Sequence, residues 1–530
     1  MKTIKITGLL FFAVTLITAV SCKKQLNLQP KYGLTTEAVY GDINNYENII
    51  AKMYGGLSVT GQNGPAGSAD IITPDEGFAQ YIRALFYLQE FPTDEVICGW
   101  SDVGVEDLDK MKWSADNTFI KMMYNRIYFQ IALCNEFVRE TSEEKMSARG
   151  FSDAEKTKIR TYQAEIRYLR ALSYYHAMDL YGNVPFVDEN DKPGSYMPDR
   201  ITRAELFNYI ESELKDVENK LLDPTVVPYG RASKAAAQFV LAKMYLNAGV
   251  YTGVTKYDEC VTYCDKIMTP ANGFQLESNY VKNFRADNQT SSEIIFPVVN
   301  DGQYIQSWGG TTFLVCASIG GTMVKEDYGV NGGWGGLRAR PELVNKFTDS
   351  IADSRYQFYT NGQSKEMASW NEFTDGYALP KFQNINTDGS LASNNALSPY
   401  TDTDFPMFRL ADVYLMYAEA TLRGGNGNSG LALSLVNDLR QRAYGNTSHN
   451  FGSLTLPIIL DERSRELHWE CTRRTDLIRF GLFTSGSYLW AFKGGDDVLG
   501  TGVADYLNLY PIPNADLALN TNLSQNIGYN

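Results

Sequence analysis

Apolar and small residues recur at helical spacing in three successive pairs of segments. Residues 155–180 put Tyr162, Ile166, Leu169, Ser173, Ala177 and Leu180 on one face, and Gly182 and Pro185 then stop the helix. Thr202 caps a second helix over 203–221, whose stripe is Leu206, Ile210, Leu214 and Val217. The next pair is 234–248, ended by Gly249, and 257–268; the third is 408–422, a turn over 424–428, and 431–443. Helices of about 15 residues with small residues facing a partner and a short turn between them are the tetratricopeptide layout, with a period near 34 residues.

Between the second and third pairs the pattern changes. Gly, Asn, Asp and Ser cluster over about 270–405, and runs such as SEIIFPVV (292–299) read as strands. The expected fold is mostly α. A tetratricopeptide-containing helical scaffold, mainly 120–268 and 406–480, carries a large loop-rich, partly β region at about 60–115 and 270–405. A last helix is expected over 459–480, with Glu462, Glu466, Glu470 and Arg474 on one face and Arg463, Arg473, Asp476 and Arg479 beside it. Carboxylates stacked on one helix with arginines between them predict a structural ion-pair network that joins helices.

The amino terminus has its own pattern. Lys2 and Lys5 precede an uncharged stretch, 8–20, too short to span a bilayer, and Ala19-Val20-Ser21-Cys22 has the layout of a lipoprotein cleavage site. Residues 1–21 are therefore read as a lipoprotein signal peptide, Cys22 as the lipidated first residue, and 22–530 as one unit tethered to a membrane.

Composition narrows the function. The 530 residues carry a net charge of −14 and no block of Lys and Arg, which argues against a nucleic-acid partner. Only three histidines occur, at 176, 449 and 468, without metal-ligand spacing. The six cysteines after Cys22 are irregularly spaced; Cys260 and Cys264, at i,i+4 on a helix, read as core residues. Asp287-Asn288 offers oxygen ligands of the calcium kind, but the same pair is common in plain turns. No cofactor is expected.

Five segments together resemble the SusD-like (SusD/RagB) family of outer-membrane nutrient-binding lipoproteins. They are AEIRYLRALSYYHAMDLYGNVPF (164–186), GRASKAAAQFVLAKMYLNAGVY (230–251), FRLADVYLMYAEA (408–420), ERSRELHWECTRRTDLIRFG (462–481) and YPIPNADLALNTNLSQNIGY (510–529). The resemblance implies a SusD-like fold, a lipid anchor in the outer membrane with display at the cell surface, no catalysis, and a role as glycan-binding lid on a SusC-like TonB-dependent transporter.

GQNG (61–64), PTDEVICGWSD (92–102), WGGTTFLVCAS (308–318), TDTDFPMFRLA (401–411) and FGLFTSGSYLWAFKGG (480–495) are similar to a starch-binding member in particular. The resemblance implies an arc of three aromatics at Trp100, Trp308 and Trp334 that cradles an α-glucan such as a maltooligosaccharide, with Arg83 bonding the sugar. The pattern departs at Cys98, where that member has a further tryptophan, and at Val103, where it has an asparagine that bonds sugar; Asp102 or Ser101 is left to supply that bond.

The residues themselves agree with an aromatic site. Trp308 precedes Gly309-Gly310, and Trp334 lies within Asn331-Gly332-Gly333-Trp334-Gly335-Gly336, which leaves each indole little to pack against and predicts exposure. Flat rings suit the C–H faces of pyranoses, and a guanidinium fork suits their hydroxyls. For Trp100, beside Val96-Ile97-Cys98, a packing role weighs as heavily. Three other readings compete: the same role for a β-glucan, mannan or host glycan, a glycoside hydrolase using Glu95 and Asp102, and an assembly protein that binds no sugar.

Overall fold

The computed structural model describes residues 35–529 except 67, 192–193, 195–196, 350–351 and 393–396. The signal segment 1–21 and Cys22 lie outside the described residues. In chain order the elements used below are α1 (Tyr46–Ser58), α2 (Tyr81–Glu90), β1 (Val96–Cys98), α3 (Thr118–Glu140), α4 (Asp153–Tyr181), α5 (Arg203–Glu218), α6 (Lys234–Leu246), α7 (Tyr257–Met268), β2 (Ile294–Val298), α8 (Gly310–Ala317), β3 (Leu337–Ala339), β4 (Phe405–Arg409), α9 (Leu410–Leu422), α10 (Ser429–Tyr444), α11 (Leu456–Leu467) and α12 (Arg473–Arg479).

Helix starts follow local chemistry. Ser152 and Thr202 each form a reciprocal capping box, with Glu155 and Glu205, and so satisfy the orphan amides at the starts of α4 and α5. Gly182, at φ 74°, ends α4 against Leu509. From α3 each helix packs on the next: α3 on α4, α4 on α5, α5 on α6, α6 on α7, α7 on α9, and α9 on both α10 and α11. The long loop-rich segment thus enters between α7 and α9 without breaking the stack. Strands are few, and among the described residues they form three two-stranded antiparallel ladders, β1 with β3, β2 with β4, and Val184–Pro185 with Arg200–Ile201. Cys260 and Cys264 are free and buried, as core residues should be.

Several boundaries differ from the sequence pattern, each for a stated reason. The helix of 203–221 ends at Glu218, where the amides of Asn219 and Lys220 turn back onto the Val217 carbonyl and tighten the last turn out of the helical ladder. α6 stops at Leu246 rather than at Gly249. Asn247 ends it by donating from Nδ2 to the Lys243 carbonyl (2.9 Å) while its Oδ1 accepts from Arg479 (3.0 Å), and one further turn, Ala248–Thr252, runs on to Gly253. Phe408 and Arg409 belong to β4, not to a helix, because they pair with β2.

The largest difference is the expected helix 459–480, which is two helices. His468 to Thr472 break it, with Trp469 at φ 63° and Cys471 at φ 60°. Left-handed backbone at non-glycine residues is costly. Tertiary contacts hold it: Trp469 is fully buried with its indole N–H on the Glu95 carbonyl (3.4 Å), and Glu90 accepts from the Thr472 amide (3.1 Å).

The predicted ion-pair network survives this break. Arg409, 1% exposed, contacts Glu293 (2.7 Å), Glu466 (2.6 Å) and Glu470 (2.6 Å). Arg355 reaches Asp353 (2.8 Å), Glu462 (2.7 Å) and Glu466 (3.2 Å), while Arg442 pairs with Glu293 and Glu466. Arg463 joins Asp412 of α9 to Asp476 of α12 (both 2.7 Å), and Arg473 reaches back to Asp94 (2.6 Å). Burial alone would raise Glu462, but Arg355, Arg465 and Arg440 overcome it and hold the carboxyl down at about 2. Removing one partner of such a cluster leaves the opposite charges buried and unmatched, at a cost of about 3–5 kcal/mol. Arg409→Met is therefore expected to lose about that much stability in urea unfolding; a loss below about 1 kcal/mol would mean that the cluster contributes specificity and no net stability.

Candidate functional site

The β1–β3 ladder brings two distant loops together. Val96 pairs with Ala339, Ile97 with Arg338 and Cys98 with Leu337, and beyond the ladder the Gly99 amide donates to the Gly336 carbonyl (3.1 Å). Trp100 is thereby carried to Trp334. The glycine-rich loop is in turn zipped onto the end of α8: the amides of Trp334, Gly335 and Gly336 donate to the carbonyls of Cys316 (2.7 Å), Ile319 (2.8 Å) and Ala317 (2.9 Å). Trp308 stands just before the other end of the same helix.

Gln80 fixes that end. Fully buried, it caps α2 by accepting from the Arg83 amide (2.8 Å), accepts from the Gly310 amide (2.8 Å), and donates to the Leu57 carbonyl at the end of α1 (2.7 Å). A Cβ on Gly309 would lie 2.2 Å from the Cβ of Gln80, so only glycine fits there.

The result is a cleft of about 420 Å³ lined by Arg83, Trp100, Asp102, Trp308 and Trp334, with Asp75, Glu76 and Phe78. All five candidate residues of the sequence meet in it. The ring centroids of Trp100 and Trp334 are 6.2 Å apart with planes inclined at 49°, and those of Trp334 and Trp308 are 6.1 Å apart at 53°. The three rings therefore form a turned row, not a flat one.

The tryptophans are half-buried, which corrects the expectation of open indoles. The neighbouring glycines serve close approach as well as exposure. A Cβ on Gly336 would lie 2.3 Å from the Trp100 ring, so that indole packs directly over the backbone. Trp100 also donates its N–H to the Trp334 carbonyl (3.3 Å) and meets Phe313 edge-on, so it does part of the packing that was weighed for it. The indole N–H groups of Trp308 and Trp334 have no partner among the described residues and remain available to a ligand.

Arg83 is only 4% exposed, yet no carboxylate lies within ion-pair distance of it among the described residues. Its charge rests on the rings of Phe78 (4.8 Å), Phe313 (4.8 Å), Tyr87 (5.6 Å) and Trp100 (5.7 Å). Nε donates to the Tyr87 hydroxyl (3.0 Å) and Nη1 to the Trp308 carbonyl (3.0 Å), which leaves Nη2 without a hydrogen-bond partner among the described residues. Asp75, Glu76 and Asp102 are exposed on the rim, where they can accept from hydroxyls. Cys98 is fully buried in β1, so that departure does not touch the cleft, whereas Val103 stands 83% exposed beside Asp102.

Four participants are not evident from sequence: Asp75, Glu76 and Phe78 in the lining, and Tyr400, whose ring lies 4.7 Å from Trp308 and prolongs the row. The one available sign was that Tyr400 directly precedes the 401–411 motif. Glu95, by contrast, is fully buried and outside the lining, so it forms no catalytic pair with Asp102. It accepts from Ser464 (2.6 Å), and its other oxygen has no partner among the described residues. Asp287 and Asn288 are spent on ties between loops, to Thr387 and Asp404, and among the described residues no cluster of His, Cys, Asp or Glu has the makings of a metal site.

Comparison with known proteins gives a consistent picture. The model of the SusD family matches residues 352–529, and a model described as starch-binding associating with outer membrane matches residues 37–246. The chain is 35% identical to the starch-binding protein SusD of Bacteroides thetaiotaomicron over 96% of both chains, and 26% identical to the SusD-like protein P25 of Formosa agariphila over 90% of both. Among solved structures, the surface glycan-binding protein A of Bacteroides thetaiotaomicron, in complex with laminarihexaose, superposes with a TM-score of 0.69 at 19% identity, over 91% of this chain and 99% of that one. A SusD superfamily protein of Parabacteroides distasonis gives 0.70 at 22%, over 94% and 100%.

Glu95 also generates a prediction about pH. Burial, reinforced by the adjacent Asp94 charge and opposed by Arg473, pushes its carboxyl from the usual 4.5 up to about 7. A group whose folded value is raised contributes stability that is whole below its unfolded value and is lost as the pH rises through its folded value. The contribution of Glu95 should thus fade between about pH 4 and pH 7. Glu95→Gln is expected to make the fall in melting temperature over that window shallower by a few degrees, read by circular dichroism; an unchanged slope would mean that the carboxylate is charged in the fold.

Proposed function

The chain belongs to the SusD family of non-catalytic carbohydrate-binding proteins, and on that footing we propose that it captures starch-type α-glucan oligosaccharides at the outer membrane and passes them to a SusC-like TonB-dependent transporter. The observation that carries the ligand class is the turned row of Trp100, Trp334 and Trp308, with successive planes inclined at 49° and 53°. A helical α-1,4 chain presents its pyranose faces along a curve, whereas an extended β-linked chain asks for a flat row. The 35% identity to a starch-binding protein over nearly the whole chain supports the same ligand.

Each residue then has a part. Trp100, Trp308 and Trp334 stack on C–H faces, Arg83 donates from Nη2 to sugar hydroxyls, and Asp102 with Asp75 accepts from them. A neutral ligand leaves the unpaired charge of Arg83 without a counter-ion, and the surrounding rings make that tolerable. Tethering through a lipidated Cys22, after removal of 1–21, belongs to the same proposal; among the described residues no helix is long and apolar enough to cross a membrane.

A few stacked rings without deep enclosure predict micromolar to millimolar binding, roughly −4 to −8 kcal/mol. In native gels containing amylopectin the protein should be retarded, and Trp308→Ala/Trp334→Ala should run freely. Free migration of the wild type, or undiminished retardation of the double variant, would overturn the assignment. Retardation by laminarin alone would move the ligand to a β-glucan.

A further inference from the structure

Beside the tryptophan cleft lies a larger groove of about 870 Å³ that the proposed function leaves unused. Its floor is apolar, built from Ile50 and Leu57 of α1 and Pro297 and Val298 of β2. Two tyrosines stand in its walls: Tyr304 is 79% exposed and Tyr229 48% exposed. The Tyr229 hydroxyl is tied to Asp404 (2.5 Å), which fixes its ring, while the Tyr304 hydroxyl has no partner among the described residues. Large aromatic rings held in water beside a groove are features that a ligand would cover.

The groove and the cleft share a wall. Gln303, Tyr304, Ile305 and Gln306 line the groove, and Trp308 lines the cleft. Two residues of extended chain span at most about 7 Å, so the backbone positions of Gln306 in the groove and Trp308 in the cleft lie within that distance of each other. The wall is also rigid at its base, because Gln80 bonds both the Leu57 carbonyl on the groove side (2.7 Å) and the Gly310 amide behind Trp308 (2.8 Å). A macromolecular partner would favour a continuous apolar face. Over its apolar floor this groove adds tyrosine rings and the amide side chains of Gln62, Gln303 and Gln306, which is the mixture a sugar uses.

We propose that the groove is a second subsite for the same glycan, taking the units of a longer chain that extend past Trp308, with Tyr304 and Tyr229 as its stacking platforms. The inference rests on the glycan-binding reading of the cleft and adds a dependence on chain length to it. A trisaccharide is held by the tryptophans alone, while a heptasaccharide engages both sites and gains from their linkage.

Calorimetry on the full chain with maltotriose and maltoheptaose tests this. Tyr304→Ala removes an exposed ring that makes no side-chain bond, and it should weaken maltoheptaose about fivefold while leaving maltotriose within about twofold. Tyr304→Trp, which restores a ring, should keep wild-type affinity for both. Unchanged maltoheptaose binding by Tyr304→Ala would overturn the second subsite and leave the groove to another occupant, such as a partner protein; equal weakening of both sugars would overturn it by making Tyr304 part of the cleft. In either case the cleft reading stands if Trp308→Ala loses both sugars. A wild type that binds neither sugar would overturn the cleft reading and the subsite together.

Discussion

A guanidinium withdrawn from water needs partners for its charge, and Arg409, at the junction of β4 and α9, takes them as carboxylates from distant parts of the chain, which ties those parts together. Its partners come from three places: Glu293 ahead of β2, Glu466 on α11 and Glu470 in the break before α12. The stacked helices and the inserted loop region are therefore joined through charge neutralisation in the interior as well as through apolar contact. The same logic repeats outward through Arg355, Arg442, Arg463 and Arg473, each bridging elements far apart in sequence. Such clusters are directional, so they select one arrangement of helices among many that apolar stripes alone would allow.

This explains which parts of the fold were legible beforehand. The helices α4 and α5 announce themselves through apolar periodicity and, for α5, through Thr202, whose cap is local chemistry. α7 is equally plain, because its pattern and its boundaries depend on near neighbours. The break at His468 to Thr472 was not legible, since the residues through it look helical and the left-handed backbone at Trp469 and Cys471 is held by Glu90 and by burial of the indole. Asn247 prevailed over Gly249 for a similar reason, its partner Arg479 being more than 200 positions away. The charged face of 459–480 was readable as a network, but the partners were not, because nothing in the spacing points to Asp94 or Glu293.

The cleft divides in the same way. Arg83, Trp100, Asp102, Trp308 and Trp334 could be singled out as a group, and they meet. Asp75, Glu76, Phe78 and Tyr400 could not, for they join the group only when α2 and the 400 loop are laid against α8. The glycines beside the tryptophans were read as openness, and half of their meaning was proximity: Gly336 lets Trp100 lie on the backbone. Part of the acidic composition is interior, where buried carboxylates are matched by buried arginines, but most of the acidic residues stay toward solvent.

The three amides of Trp334, Gly335 and Gly336 that bond to the end of α8 concern only the main chain. Trp308, at the other end of that helix, is likewise set by Gln80 acting on backbone groups. The distance between the two positions is therefore indifferent to which side chains occupy them. A lineage that carried this framework could exchange one ring for another, or lose one, and change its diet without rebuilding the mount.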